Sequence, residues 1–332
     1  MAGPIFIALG GVWLDEIRIA EDVKFKDVLG GSVTFATLGA RLFKANSKDI
    51  RLIVCAGHDF PGHAVEILRS WKVDLSVHGR EDTPHARGIA HYGNDDSAPI
   101  STGSTYLGMS EVINTKSFHF FETPETLTEN VKAILYMRLT MQKQDPLVIW
   151  EPQAKTMTPD SLSLHCATTK LVDVFSPNHM ELAKFFKGKL DGDHKFDRQI
   201  VEHQASHFLD NGIRLDGKGC IVVRCAEYGC LVSSQATGPR WLPAYHTDPE
   251  KVVNTTGAGN AFLGAFTIGV LETNDIVKAA MYGQVASSFV IEQVGVPKLS
   301  KASGDELWNG AKARDRLAEY EQRVSQISQD ET

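Results

Sequence analysis

The sequence of 332 residues contains no apolar run approaching the ~18–20 residues that a membrane helix needs. It has no run of Lys or Arg, and with a formal net charge of −7 it offers no basic field for nucleic acid. The opening Met-Ala-Gly-Pro-Ile-Phe-Ile-Ala-Leu-Gly lacks a basic segment ahead of its apolar residues, so it reads as a first strand rather than a signal peptide. Cysteines are few: Cys55, Cys166, Cys220, Cys225 and Cys230, an odd number whose last three members sit five apart. That spacing fits neither a Cys-x-x-Cys unit nor a disulfide framework and points to buried free thiols in a reducing compartment, cytoplasm or nucleus. Internal repeats and low-complexity linkers are also lacking.

What is present is ordinary globular composition, 42% hydrophobic and 23% charged, in a chain long enough for one large α/β domain with an appendage. The stretch that organises it runs from Val252 to Phe266. A β-branched pair leads through Asn254, Thr255 and Thr256 into Gly257-Ala258-Gly259, and Phe262, Leu263, Phe266 and Val270 follow with helical spacing. The glycines let backbone amides converge, and the first turn of a helix leaves N–H groups unpaired and partly positive, which makes a seat for an anion. A glycine-rich turn entering a core helix has the same pattern.

This stretch resembles the C-terminal signature of the ribokinase-like (pfkB) carbohydrate kinases. In that family the Gly-Ala-Gly amides hold the transferred phosphate and a following Asp deprotonates the sugar hydroxyl. Asn260 stands at that position here. The resemblance covers roughly residues 5–298 and implies a doubly wound, mostly parallel sheet with helices on both faces and a small β lid. A domain of residues 1–310 is expected, with the lid at about 13–29 and 84–105. A polar helical tail from 311 to 332 is expected outside the core.

In chain order, strand Ile5–Leu9 ends at Gly10-Gly11, and Asp15 follows. A carboxylate just past the first strand of such a sheet can bind hydroxyls, or it can be a solvated loop residue; Asp15 looks like the family's sugar-binding Asp. Residues 17–29 alternate in part, as a strand outside the main sheet would. Gly30-Gly31 and the helix from Val33 to Phe43 resemble the family's N-terminal signature. There a sugar-contacting Asn is usual, and Phe35 replaces it with an apolar face that implies a substrate with an apolar portion. Arg51–Cys55 reads as a strand and Ala64–Trp71 as a helix, with Asp59 as a cap or loop residue between them. Two short strands are expected about Gly93-Asn94-Asp95-Asp96, from which Arg87 could reach substrate or stay on the surface. Residues 101–145 give the weakest pattern, with helical spacing at Val131–Met141 between polar flanks.

Pro146–Trp150 reads as a buried strand delivering Glu151-Pro152-Gln153, where the family usually has Asp-Pro-Asn. After strand Val172–Phe175, Asn178 and Glu181 resemble the family's magnesium-organising Asn-x-x-Glu, with Asn178 acting through water. The same pair can cap the amphipathic helix that follows, and both readings can hold together. Gly219–Val232 reads as a hairpin whose turn keeps Glu227 and Gly229 of the family's nucleotide turn but has Ala226 for its first Gly. Arg224 either contacts phosphates there or is an exposed residue of a sheet edge. A helix over Ala279–Val290, with Ser287 among small residues, matches the one the family places against adenine.

The resemblance implies ATP and Mg²⁺ as cofactors, with Thr255, Thr256 and Ser287 near the nucleotide. Asn254 stands where the family typically has an Asp near a monovalent-cation site, which argues against such an ion here. It also implies a sugar, nucleoside or related alcohol as acceptor, and a monomer or a homodimer through the lid. Three functions fit: a slow or atypical kinase, an impaired homologue that binds nucleotide or sugar phosphate, and different chemistry on the same scaffold.

Overall fold

Phe6-Ile7-Ala8-Leu9 has no polar residue on either face, as a strand covered on both sides requires. In the computed structural model this segment is β1 (Phe6–Leu9), inside a nine-stranded sheet. The structure describes residues 3–19, 22–44, 46–91, 107–186 and 196–330. The other strands of the sheet are β4 (Ile50–Gly57), β5 (Asp74–Arg80), β7 (Ser117–Glu122), β8 (Leu147–Pro152), β9 (Val174–Phe175), β10 (Cys220–Arg224), β11 (Cys230–Ser234) and β12 (Arg240–Leu242). Their order is β12-β11-β10-β9-β8-β7-β1-β4-β5, parallel from β10 to β5 with β11 and β12 antiparallel. The chain winds from β1 to β4 and β5, then returns to β7 on the other side of β1. The switch point therefore lies between β1 and β7, where such sheets bind ligands beyond their strand ends.

Each face of the sheet is covered by helices. Phe6, Ala8, Leu52 and Val54 pack under α1 (Ser32–Phe43), α2 (Gly62–Ser70), α8 (Ala258–Thr273) and α9 (Ile276–Ile291). Ile7, Leu9, Phe120, Trp150 and Phe175 face the other way. They meet α3 (Met109–Asn114), α4 (Pro124–Thr140), α5 (Leu162–Thr169), α6 (His179–Ala183) and α7 (Arg198–Asn211). A separate sheet of order β3-β2-β6 is formed by β2 (Trp13–Ile19), β3 (Asp22–Gly30) and β6 (Arg87–His91). A small hairpin, β13 (Leu299–Ala302) with β14 (Asp305–Trp308), precedes α10 (Ala313–Asp330). No described helix is long and apolar enough to cross a membrane.

Several expectations change. The weak region holds a central strand, β7, whose Ser117 and His119 interrupt the apolar run yet are fully buried. The polar stretch before Val131 is the start of α4, which Thr123 caps by accepting from Thr126 N. The helix after Asn178 spans only five residues. The C-terminal helix does not lie outside the core, because Ala313, Leu317 and Tyr320 are buried in the same cluster as α1 and α9. Its polar composition hid an apolar stripe. The turn expected at Gly93-Asn94-Asp95-Asp96 and residues 101–105 fall outside the described residues.

α10 is fixed to the end of α9 through Glu292. Its carboxylate pairs with His246 Nε2 at 3.0 Å and Arg316 Nη1 at 2.7 Å, and accepts from Asn309 Nδ2 at 2.8 Å. Burial alone would raise its pKa, but the bonds from His246, Arg316 and Asn309 outweigh this and hold it at about 2. A depressed carboxyl contributes stability that is complete above its ordinary value of 4.5 and is lost as pH falls towards 2. A shift of that size corresponds to on the order of 3 kcal/mol. In urea unfolding, Glu292→Gln is expected to lose about that much near neutral pH, with the gap to wild type closing as the medium is acidified below 4.5.

Candidate phosphate and substrate site

α8 starts at Gly257, whose φ of 82° lies in the left-handed region. A Cβ there would also collide with the ring of Phe35, so glycine is required twice over. Thr255 O accepts from Ala258 N at 3.2 Å, and Ser287 Oγ donates to Ala258 O at 2.9 Å, which ties α9 to the head of α8. Asn254 Oδ1 accepts from Thr256 N at 2.8 Å, so its side chain closes its own turn. At the N-terminus of this sixteen-residue helix the first N–H groups lack intrahelical partners, and that of Ala258 is used by Thr255 O.

Beneath this turn the strand ends bring together a network that the sequence showed only in part. β8 carries Glu151, β7 carries His119 and β10 carries Arg224. Arg224 Nη1 bonds Glu151 Oε1 at 2.6 Å, and its Nη2 donates to Ser176 O at 3.0 Å. Glu151 Oε2 lies 3.0 Å from His119 Nε2 and accepts from Asn260 Nδ2 at 2.6 Å. The Glu151 side chain is 5% exposed and that of His119 is fully buried. Burial pushes the Glu151 carboxyl up, but Arg224, His119 and Asn260 together hold it below the usual range, so it is ionised. A Cβ at Gly259 would strike Arg224 Nη1, which places the guanidinium directly behind the turn. Arg224 is therefore not an exposed edge residue; its side chain is 13% exposed.

Asn178 and Glu181 cap α6 reciprocally: Asn178 Oδ1 accepts from Glu181 N at 2.8 Å, and Glu181 Oε2 accepts from Asn178 N at 2.7 Å. The same Oε2 lies 3.5 Å from Arg224 Nη2. Burial raises the Glu181 carboxyl above the ordinary range despite the opposing pull of Arg224. The cap and the guanidinium use Glu181 Oε2 and Asn178 Oδ1 but not Glu181 Oε1, so capping and a role towards the water shell of a divalent ion are compatible in this donor set. Among the described residues no group of three His, Cys, Asp or Glu could hold a metal.

Towards the switch point, Asp15 on β2 is buried between Gly30 and Gly88, where a Cβ at either glycine would meet its carboxylate oxygens. Gly31, with φ 92°, heads α1 where a Cβ would strike Gly11 O. Phe35 is 2% exposed, its ring packed on Gly257 rather than facing an open cleft. Arg87 Nη1 donates to Asp59 Oδ2 at 2.6 Å, and Arg87 also pairs with Asp27 at 3.3 Å, which joins the small sheet to the loop after β4. Asp59 caps no helix, since Pro61 holds the cap position of α2; it accepts from His85 N at 2.6 Å.

Glu227 is exposed in the turn between β10 and β11. Gly229 adopts φ 89° where a Cβ would strike Leu242 O, and Ala226 is held at φ 49°. Sequence reasoning missed His119 and Ser176; its one available signal for His119 was a polar residue inside an otherwise apolar strand.

The sheet order, the helices on both of its faces and the small separate sheet define a ribokinase-like α/β protein. The chain belongs to the pfkB family of carbohydrate kinases, whose family model matches residues 25–301. It is 29% identical over 344 residues to an uncharacterised protein of Schizosaccharomyces pombe, covering 95% of this chain and 92% of that one. It is 27% identical over 341 residues to Protein MAK32 of Saccharomyces cerevisiae, with the same coverage of 95% and 92%. Among solved structures it is similar to the ribokinase of Giardia lamblia, with a TM-score of 0.70 and 13% identity over 96% of this chain and 99% of that one.

Two measurements follow from this geometry. Arg224→Met strands a buried carboxylate and is expected to cost ~3–5 kcal/mol, whereas Arg224→Met combined with Glu151→Gln costs clearly less than the two single changes added together. Ala226→Gly relieves a left-handed residue and is expected to raise stability by about 1 kcal/mol in chemical denaturation.

Proposed function

We propose that this protein binds a phosphate-bearing ligand, a nucleotide or sugar phosphate, on a pfkB scaffold whose phosphoryl transfer is slow or lost. The observation that carries the reading is the bond from Asn260 Nδ2 to Glu151 Oε2 at 2.6 Å. At the position of the family's base stands an amide donor, held by a carboxylate that is itself neutralised by Arg224. An amide accepts no proton near neutral pH.

Glu151 is no substitute, because Oε1 is taken by Arg224 and Oε2 by His119 and Asn260. A general base is worth ~10²–10⁴-fold, so its loss raises the barrier by roughly 3–5 kcal/mol. The turn that would cradle phosphate is intact, with Gly257 in the left-handed region and α8 behind it. A metaphosphate-like transition state asks little of its nucleophile until late. These two points keep a slow ATP-dependent kinase of a sugar, nucleoside or related alcohol as the second reading.

Restoring the base requires two changes. Asn260→Asp alone sets a carboxylate against Glu151 Oε2, and like charges so close share a proton, which leaves a weak base. Asn260→Asp with Glu151→Gln frees the new Asp. In ATP turnover against a panel of sugars and nucleosides, the double variant is expected to gain ~10²-fold or more over wild type and the single variant much less. No gain from either variant, with any acceptor, would rule out a kinase geometry at this turn.

A further inference from the structure

We propose that His85 is a proton-sensitive pin, which fastens the small sheet β3-β2-β6 to the α/β domain while its imidazole is neutral and lets the sheet loosen when it is protonated. The device works whatever the site binds.

The chain enters β6 through residues 83–86, and the loop after β4 grips this segment at several points. His58 N donates to Thr83 O at 3.1 Å, and Asp59 Oδ1 accepts from His85 N at 2.6 Å. At the centre lies His85, 4% exposed, its ring packed on Phe60 with centroids 4.2 Å apart. Its Nδ1 accepts from Gly57 N at 3.1 Å. A Cβ at Gly57 would strike His85 N, so the two backbones are in contact here. Nε2 then carries the ring proton and points towards Val12 O without a bond of full geometry. Val12 leads directly into β2, so one ring sits between the loop after β4 and the entries to both β2 and β6.

The bond from Gly57 fixes the protonation state. Nδ1 accepts only while it carries no proton, so the pin works as a neutral imidazole. An imidazolium would set N–H against N–H and bring a second cation beside Arg87. The groups around the ring are Asp59 and Phe60 from the loop, Arg87 from β6 and the Val12 carbonyl. Burial is the largest influence and pulls His85 below its ordinary 6.5, helped by Arg87 and opposed by Val12 O and Asp59. Asp59 is held low chiefly by the bond from His85 N, and Arg87 is held high chiefly by Asp59, so both keep their charges over the same range. Further out, His58 is exposed and His63 Nε2 lies 3.4 Å from Asp27 O.

The fastened state therefore takes up its proton at lower pH than the loosened one. Its advantage is complete above the ordinary value of 6.5 and is lost as pH falls below it. One unit below 6.5 the opening equilibrium rises by up to about tenfold. The strands released include β2 with Asp15, which pairs with Gly88 next to Arg87.

The test is hydrogen exchange of the full chain, followed by mass spectrometry at about pH 7.5 and about pH 5.5 with intrinsic rates divided out. Peptides of β2, β3 and β6 are expected to open more at the lower pH, by up to about tenfold, while those of β8 and α8 hold. No change in the small sheet, or an equal change throughout the chain, overturns the proposal. His85→Gln keeps an acceptor for Gly57 N and cannot titrate, so its small sheet is expected to open equally at both values. A pH response that survives in this variant overturns the proposal. His58→Gln combined with His63→Gln is expected to respond as wild type does, and loss of the response there overturns the proposal too. If His85→Gln does not fold, wild type and this double variant decide between the outcomes.

Discussion

The ion pair between Arg224 and Glu151 is the constraint on which the rest of the site depends. Both groups sit at strand ends under α8, almost out of reach of water, and removing either would leave the other a poorly compensated buried charge. Glu151 is ionised because Arg224 faces it, and an ionised Glu151 calls for donors on its second oxygen, which His119 and Asn260 occupy. Arg224 in turn reaches Glu181 and Ser176 and so links β8, β9, α6 and α8 through one side chain. A change at any of these positions is felt at the turn above.

This dependence explains why the departures from the family pattern come as a set. An Asp at position 260 would stand within hydrogen-bond distance of Glu151 Oε2, and two carboxylates so placed cannot both ionise. Given Glu151, the amide of Asn260 is the compatible neighbour. Once an arginine lies behind Gly259, a carboxylate at 151 is in turn the group that keeps the guanidinium paired. Arg224, Glu151 and Asn260 therefore form one electrostatic arrangement rather than three independent features.

Much of this was legible in the sequence where a residue's neighbours are local. The turn at Gly257, the crossing at Gly30-Gly31, the buried strand ending at Glu151 and the hairpin about Gly229 all follow from nearby apolar runs and glycines. β7 was not legible, because Ser117 and His119 look polar in sequence and are buried only through partners far along the chain, Ile5 O at 2.5 Å and Glu151. Arg224 was ambiguous for the same reason, since its partners lie 73 and 48 residues away. The tail misled in another way: its stripe of Ala313, Leu317 and Tyr320 is narrow, and the surrounding charge concealed it.

The glycine signature itself needs careful use as evidence of function. Gly257 is demanded by the Phe35 ring and by its own left-handed backbone, and Gly259 by the Arg224 guanidinium. Both glycines would be required by packing alone, even on a scaffold that had lost its ligand. Their presence therefore speaks for the shape of the turn and says little about chemistry. The information about chemistry lies in the charged groups behind the turn, which packing does not dictate. A buried ion pair is costly to assemble, and apolar residues of similar volume would often serve stability as well. Keeping Arg224 and Glu151 beneath the head of α8 is therefore the feature that the proposed anion-binding reading, and not packing, would account for.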